Sequence, residues 1–389
     1  AEMVTNAIGP AIATNFFIYF LGLPVMALYN FSAAALRALG NTRQPLIYLA
    51  IAKDMEPSLL LPIGFGAILV NIPGVDAVQP GGALITLFKA GIDNELFPLI
   101  LFIGIGAMID FGPLLSNPKL MLFGAAAQFG IFFTLCTSSM FFDINDAASV
   151  AVIGAADGPT SIVVAQALNS KYLGAIMVAA YSYMALVPIV QPAIVKMCTT
   201  KKERRIKMKY HAAQVSKLTR ILFPVLVTII SGLIAPASLS LVGMLMFGNL
   251  LRECGVLNTL SDTAQNTLSN IITLLLGITI AFQMQAEQFV TWETLMIMGL
   301  GLFAFVFDTI GGVMCAKLMN LFCKEKINPM IGAAGISAFP MAARVVEKMG
   351  IKEDSTNHLL MHAVGANVSG QIASAIVGGL IISFVTPFL

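Results

Sequence analysis

Runs without a single Asp, Glu, Lys or Arg divide the chain: residues 57–75, 120–142, 172–195, 221–251, 263–286 and 355–389. A helix needs about 20 mainly apolar residues to cross a bilayer, so most of these runs predict one spanning helix. The run 221–251 predicts two shorter helices broken near Pro236. Further apolar stretches at 11–36, 96–109, 147–168, 294–316 and 327–343 are interrupted by Gly, Pro or a single charge. The pattern predicts an all-α polytopic membrane protein of about 10–12 transmembrane segments, several of them discontinuous. Barrel strands would alternate apolar and polar residues at every second position, and no such alternation is present.

Composition sharpens this picture. Of 389 residues, 58% are hydrophobic and 11% charged, against about 25% charged in soluble domains. That excludes a soluble enzyme, a nucleic-acid binder and a secreted disulfide scaffold. The five cysteines are scattered without CxxC spacing, which argues against a thiol metal or redox motif. Eight of the 22 Lys and Arg residues lie between Lys201 and Arg220, with Glu203 the one acid among them. The positive-inside rule places this basic loop, 199–219, in the cytoplasm. It joins two halves, about 46–198 and 220–389, of similar content. Both carry apolar helices and Gly-rich broken segments, which predicts an inverted repeat with the site at the repeat interface.

A few polar groups interrupt the apolar spans. Asp157 sits in AVIGAADGPTSIVVAQAL, followed at once by Gly158 and Pro159. A carboxylate at membrane depth is costly and commonly functional. Pro159 removes an N–H and disfavours helix just before it, freeing carbonyl oxygens beside the acid. With the Thr160 and Ser161 hydroxyls these form a hard-oxygen set suited to sodium or a proton; an N-cap is the structural alternative. NPMIGAAGISAFPMAAR, residues 328–344, offers Asn328 and Ser337 as neutral oxygens and Arg344 as an isolated base. Arg344 can bind a carboxylate, tune an acid or extend to the interface. Asn367 lies in HAVGANVSGQIASAIVGG with Ser369, Gln371 and Ser374 nearby. Asp110 and Asp308 are the other acids in apolar surroundings, and Tyr181 and Tyr183 are either interface anchors or polar groups facing the cation site. The residues alone therefore reach a cation-coupled membrane transporter with two or three broken helices.

From about Leu46 to Leu389 the chain resembles the beta subunits of biotin-dependent, sodium-pumping decarboxylases. The blocks that carry this are EPSLLLPIGFGAIL, GIGAMIDFGPLLSNP, GAAAQFGIF, GAADGPTSI, AAYSYMALVPIVQP, NPMIGAAGISAFPMAARV and HAVGANVSGQIASAI. The resemblance implies a membrane subunit of a translocase complex serving oxaloacetate, methylmalonyl-CoA, glutaconyl-CoA or malonate decarboxylation. Such a subunit decarboxylates carboxybiotin, consumes a proton and drives sodium outward across the bacterial inner membrane. It implies sodium at Asp157, Asn328, Gly332, Ser337 and Asn367, with Arg344 facing carboxybiotin and with Arg344, Tyr183 and Asp157 as the catalytic set. The implied cofactors are sodium and biotin, the latter covalently bound to a partner and not to this chain. The implied partners are a biotin-carrying carboxyltransferase subunit, a small membrane-anchored gamma-type subunit, further copies of this chain and the lipid bilayer, with no nucleic acid. Residues 1–45, especially LGLPVMALYNFSAAALRALGNTRQPL, resemble instead a fragment of a multidrug and toxin extrusion (MATE) transporter.

On this reading sodium sits at Asp157 with nearby carbonyls and Asn367, and a second sodium sits near Asn328 and Ser337. Tyr183 or a water near Arg344 supplies the proton. The rival is a sodium-coupled secondary transporter with no biotin partner.

Overall fold

The computed structural model describes residues 57–70, 79–208, 215–284 and 291–388. The segment 1–45, with its expected MATE-like helices, lies outside the described residues. In the first half, α1 (Pro57–Val70) is followed by α2 (Ala83–Gly91) and α3 (Leu96–Met108), the latter pair bent by 63°. Then come α4 (Met121–Ala127), α5 (Phe129–Ser138), α6 (Ile144–Ala151) and α7 (Gly158–Ala167), and a long α8 (Leu173–Cys198). After the central loop run α9 (Lys217–Ile234), α10 (Leu239–Glu253) and α11 (Ser269–Ile280). The chain closes with α12 (Trp292–Phe322), α13 (Met330–Ala333), α14 (Met341–Glu353) and α15 (Leu360–Val385). No strand occurs among the described residues.

Among the described residues, six helices are long and apolar enough to cross a membrane, seven if the bent pair counts as one span, with two shorter apolar helices besides. The protein is an all-α, multi-pass membrane protein. The remaining expected segments fall into two groups: 147–168 and 327–343 fold as half-helices, and 11–36 lies outside the described residues. The run 221–251 divides as expected, with Pro236–Ser238 forming a turn between α9 and α10. Of α9 only Pro224 and Ser231 are buried. Its Leu222, Leu226, Ile229, Ile230 and Leu233 are exposed, an apolar face of the kind lipid covers.

Close helix approach rests on small residues, as expected where lipid offers no competing hydrophobic drive. A β-carbon added at Gly106 of α3 would fall 1.9 Å from the Leu245 carbonyl oxygen of α10, and one at Gly248 of α10 would fall 2.0 Å from that of Ile103.

The described first part of the basic loop, 199–208, is folded rather than extended. Thr200 and Glu203 form a capping box that starts a single turn, Lys201–Arg204, a reciprocal arrangement that satisfies two helix-end amides. Arg204 Nε pairs with Glu353 Oε1 at 2.8 Å, Lys207 with Asp354 at 3.0 Å and Lys317 with Glu203 at 3.1 Å. The loop is thereby tied to the ends of α14 and α12. The Arg204 hydrogen bond holds the Glu353 carboxyl below its ordinary range. Bonds from Thr356 and Lys207 do the same for Asp354.

Candidate functional site

Two broken helices meet at the centre. In the first, α6 tightens into a 3₁₀ turn, Val152–Ala155, and then stops. Ala156 takes a left-handed conformation (φ 52°), and Asp157 is extended before α7 begins with Pro159 in its first turn. A left-handed alanine is uncommon; here it reverses the chain so that Asp157 caps α7. The N-cap role and the buried acid are therefore one feature. In the second, α13 ends at Ala333, and α14 starts only after Pro340. A 26-residue helix follows each break, α8 after the first and α15 after the second.

Asp157 is 3% exposed. Its Oδ2 accepts three side-chain donors: Thr160 Oγ1 at 2.7 Å, Ser374 Oγ at 2.9 Å and Gln371 Nε2 at 3.1 Å. Its Oδ1 has one long contact, from the Thr160 amide at 3.4 Å. Donors of this kind favour the ionised carboxylate, and Oδ1 is left as the open oxygen. Ser337 reaches the same break: both its amide and its Oγ bond the Ala155 carbonyl, at 3.2 and 2.7 Å. Asn367 Nδ2 donates to the neighbouring Ile336 carbonyl at 2.6 Å, and its Oδ1 is buried with no partner among the described residues. The donor set is therefore one carboxylate with neutral oxygens, chemistry suited to a monovalent hard cation.

The structure brings Asp157, Ser337 and Asn367 together and places the other expected residues elsewhere. Asn328 is fully buried, and its Nδ2 donates to the Arg204 and Ile206 carbonyls, both at 2.9 Å. Its Oδ1 accepts the Met330 amide at 3.1 Å, so it fastens α13 to the basic loop. Gly332 serves a close crossing: a β-carbon there would fall 2.0 Å from the Gly312 carbonyl oxygen of α12. Tyr183 donates its hydroxyl to the Met298 carbonyl. Tyr181 is the tyrosine beside the acid, its ring lying over Gly158 within 2.5 Å of where a β-carbon would stand. The Tyr181 hydroxyl is buried and has no partner among the described residues.

Arg344 is exposed. It lines a groove of about 360 Å³ between α8 and α14 with Lys196, Lys348 and Lys352, walled by apolar side chains including Pro188 and Met349. The spacing of Arg344, Lys348 and Lys352 stacks three cations on one face of α14, rising from the end where Glu353 meets the basic loop. A larger cavity, about 800 Å³, opens on another side of that loop, lined by Lys119, Lys207, Lys324, Lys326 and His362 among others.

Gln371 and Ser374 bond Asp157 directly, although the sequence offered them only as nearby oxygens. Their spacing from Asn367, four and seven residues, puts all three on one helical face. Gln191 is a buried residue the sequence reading passed over. Its Nε2 bonds the Ala333 carbonyl at 2.7 Å, tying α8 to the second break. Its signal was an amide in the charge-free run 172–195.

Residues 38–385 match the family described as the Na+-transporting oxaloacetate decarboxylase beta subunit. The chain belongs to this family. It is 50% identical over 363 residues to the methylmalonyl-CoA decarboxylase subunit beta of Propionigenium modestum, covering 87% of this chain and 91% of that one. It is 48% identical over 341 residues to the glutaconyl-CoA decarboxylase subunit beta of Acidaminococcus fermentans, covering 87% and 90%. It is 45% identical over 403 residues to a probable oxaloacetate decarboxylase beta chain of Vibrio cholerae serotype O1, covering 87% and 93%. Names as beta subunits place these relatives in multi-subunit complexes. The match begins at residue 38, within the segment 1–45 expected to be distinct.

Proposed function

We propose that this chain is the ion-translocating membrane subunit of a sodium-pumping decarboxylase, with its sodium site at the crossing of the two broken helices. The observation that carries this is the Asp157 carboxylate, with three side-chain donors on Oδ2 and an open Oδ1. Sodium, the transported substrate, binds Asp157 beside Asn367 and Ser337. Asn328 and Gly332 hold the second broken segment in place. The crossing of two broken segments, each leading into a 26-residue helix, supports an inverted repeat of halves 46–198 and 220–389.

The groove at Arg344 suits a carboxylated biotin carried by a partner subunit: cations for the carboxylate, apolar walls for the ring and stem. Biotin supplies an N-bound carboxylate whose N–C bond breaks to give CO2, leaving a ring nitrogen that takes up one proton. Arg344 attracts and orients the carboxylate, while Lys348 and Lys352 draw the anion inward from the cytoplasmic face. Bound sodium favours the charged form of Asp157, so sodium departure invites a proton. That exchange links ion movement to the proton demand of decarboxylation. The partners are a biotin-carrying carboxyltransferase subunit, a small gamma-type membrane subunit and further copies of this chain, in the bacterial inner membrane.

The test is reconstitution of the purified complex into sealed vesicles. Carboxylated biotin carrier is expected to drive sodium movement and to lose CO2 faster when sodium is present. Sodium movement that needs no biotinylated partner supports the secondary-transporter reading instead.

A further inference from the structure

Asp308 lies near the middle of the 31-residue helix α12 and is fully buried. Its Oδ1 accepts the Ile131 amide at 3.2 Å, and the Gly130 amide points to the same carboxyl. These are among the first amides of α5, which the break at Gln128 leaves without helical partners. Oδ2 has no partner among the described residues.

Two glycines make room for this carboxyl. A β-carbon at Gly130 would fall 2.6 Å from Oδ1, and one at Gly154 would fall 2.7 Å from Oδ2. Gly154 belongs to the 3₁₀ turn Val152–Ala155 that leads into Asp157. Asp308 therefore presses on the back of the turn whose other end carries the sodium-site acid.

Among the described residues, the elements packed on this part of α12 bring no counter-charge to Asp308. On α8, Tyr183 is bonded to Met298, Tyr181 lies over Gly158, and Lys196 lines the Arg344 groove; Cys198 ends that helix. Cys136 of α5 is exposed. Asp146 of α6 bonds Ser170 and the Lys171 amide, and α4 and α13 carry no titratable side chain. Lys317 of α12 itself pairs with Glu203. A buried carboxylate with one unpaired oxygen and no counter-ion is strongly disfavoured at membrane depth. A neutral carboxyl leaves only one unpaired hydroxyl, a far smaller penalty.

We propose that Asp308 is a proton-binding site of the membrane domain, separate from Asp157, which holds its proton on Oδ2 in this conformation. The O–H bond breaks when the Gly154 turn shifts and admits water, the proton passing to that water and the carboxylate remaining. A negative charge there favours sodium at the neighbouring Asp157 site, so protonation of Asp308 lowers sodium affinity. This consequence rests on the Asp157 reading; the proton site itself does not.

The experiment is infrared spectroscopy of the full chain with carbon-13 at its aspartate carboxyls, near neutral pH, in water and after exchange into deuterium oxide. In Asp157→Asn a protonated aspartate band that resists exchange is expected, and it is lost in Asp157→Asn/Asp308→Asn. Absence of the band in Asp157→Asn overturns the proposal without requiring the double variant to fold. A band that persists in the double variant overturns it as well. The link to sodium is read separately in Asp308→Asn, where half-saturating sodium is expected to vary less with pH than in the parent. An unchanged pH dependence removes that link. Full sodium dependence in Asp157→Asn overturns the Asp157 reading and leaves the infrared result intact.

Discussion

Ser374→Ala removes one of the three side-chain donors to Asp157 Oδ2 and leaves the backbone of α15 untouched. The Ser374 hydroxyl lies 2.9 Å from Oδ2 and 3.2 Å from the Gln371 carbonyl, so its single proton is shared between them. A hydrogen bond to a charged group is worth about 1.5–3 kcal/mol, and the sharing puts this one at the lower end. A loss of about 1.4 kcal/mol is tenfold in an equilibrium constant. The donor stabilises the ionised carboxylate that sodium needs, whereas a proton competes for the same oxygen atoms. Half-maximal activation of decarboxylation in Ser374→Ala should therefore require roughly tenfold more sodium. The maximal rate at saturating sodium should be kept. Raising the pH weakens the proton competitor, so the gap from wild type should narrow as pH rises and widen as it falls. The assay is carboxybiotin decarboxylation by the reconstituted complex, titrated with sodium at several pH values. Equal half-activation in the two proteins at every pH would refute the reasoning.

The two tyrosines should separate stability from site chemistry. Tyr183→Phe removes the hydroxyl bond to the Met298 carbonyl and should cost about 1 kcal/mol, read as a lower melting temperature. Tyr181→Phe removes a hydroxyl without a bonded partner and should melt like wild type while its sodium dependence changes. Glu353→Gln tests the tie between α14 and the basic loop. The Glu353 carboxyl is held below its ordinary value of 4.5 by Arg204, so its contribution is present above that pH and is lost as pH falls through the lowered value. The melting difference between wild type and Glu353→Gln should be present at neutral pH and vanish in acid; a difference constant with pH would contradict this.

The fold class was legible because charge-free runs of helical length are a strong signal in lipid. The breaks at Asp157 and around Pro340 were legible too, since Gly and Pro beside an isolated polar residue interrupt a helix for steric reasons. Residue roles within the second broken segment were less so. Asn328 and Ser337 look alike in sequence, both neutral oxygens in an apolar run. Only tertiary contact distinguishes them, Ser337 facing the Ala155 carbonyl and Asn328 facing those of Arg204 and Ile206. The same holds for Tyr181 and Tyr183. Two residues apart on a helix, they point to different sides, and nothing local says which side holds the acid. Gln371 and Ser374 were within reach of sequence reasoning through their helical spacing from Asn367. What the spacing could not supply was the crossing of α15 over the first break.

The most direct test of the central claim is sodium activation of carboxybiotin decarboxylation in Asp157→Asn. The substitution keeps the size of the side chain and removes its charge, and the Thr160 and Ser374 hydroxyls can still bond the amide oxygen. A folded, correctly assembled Asp157→Asn complex should lose sodium-stimulated decarboxylation together with sodium transport. Full sodium-stimulated activity in that complex would contradict the assignment of Asp157 as the carboxylate that binds the transported ion.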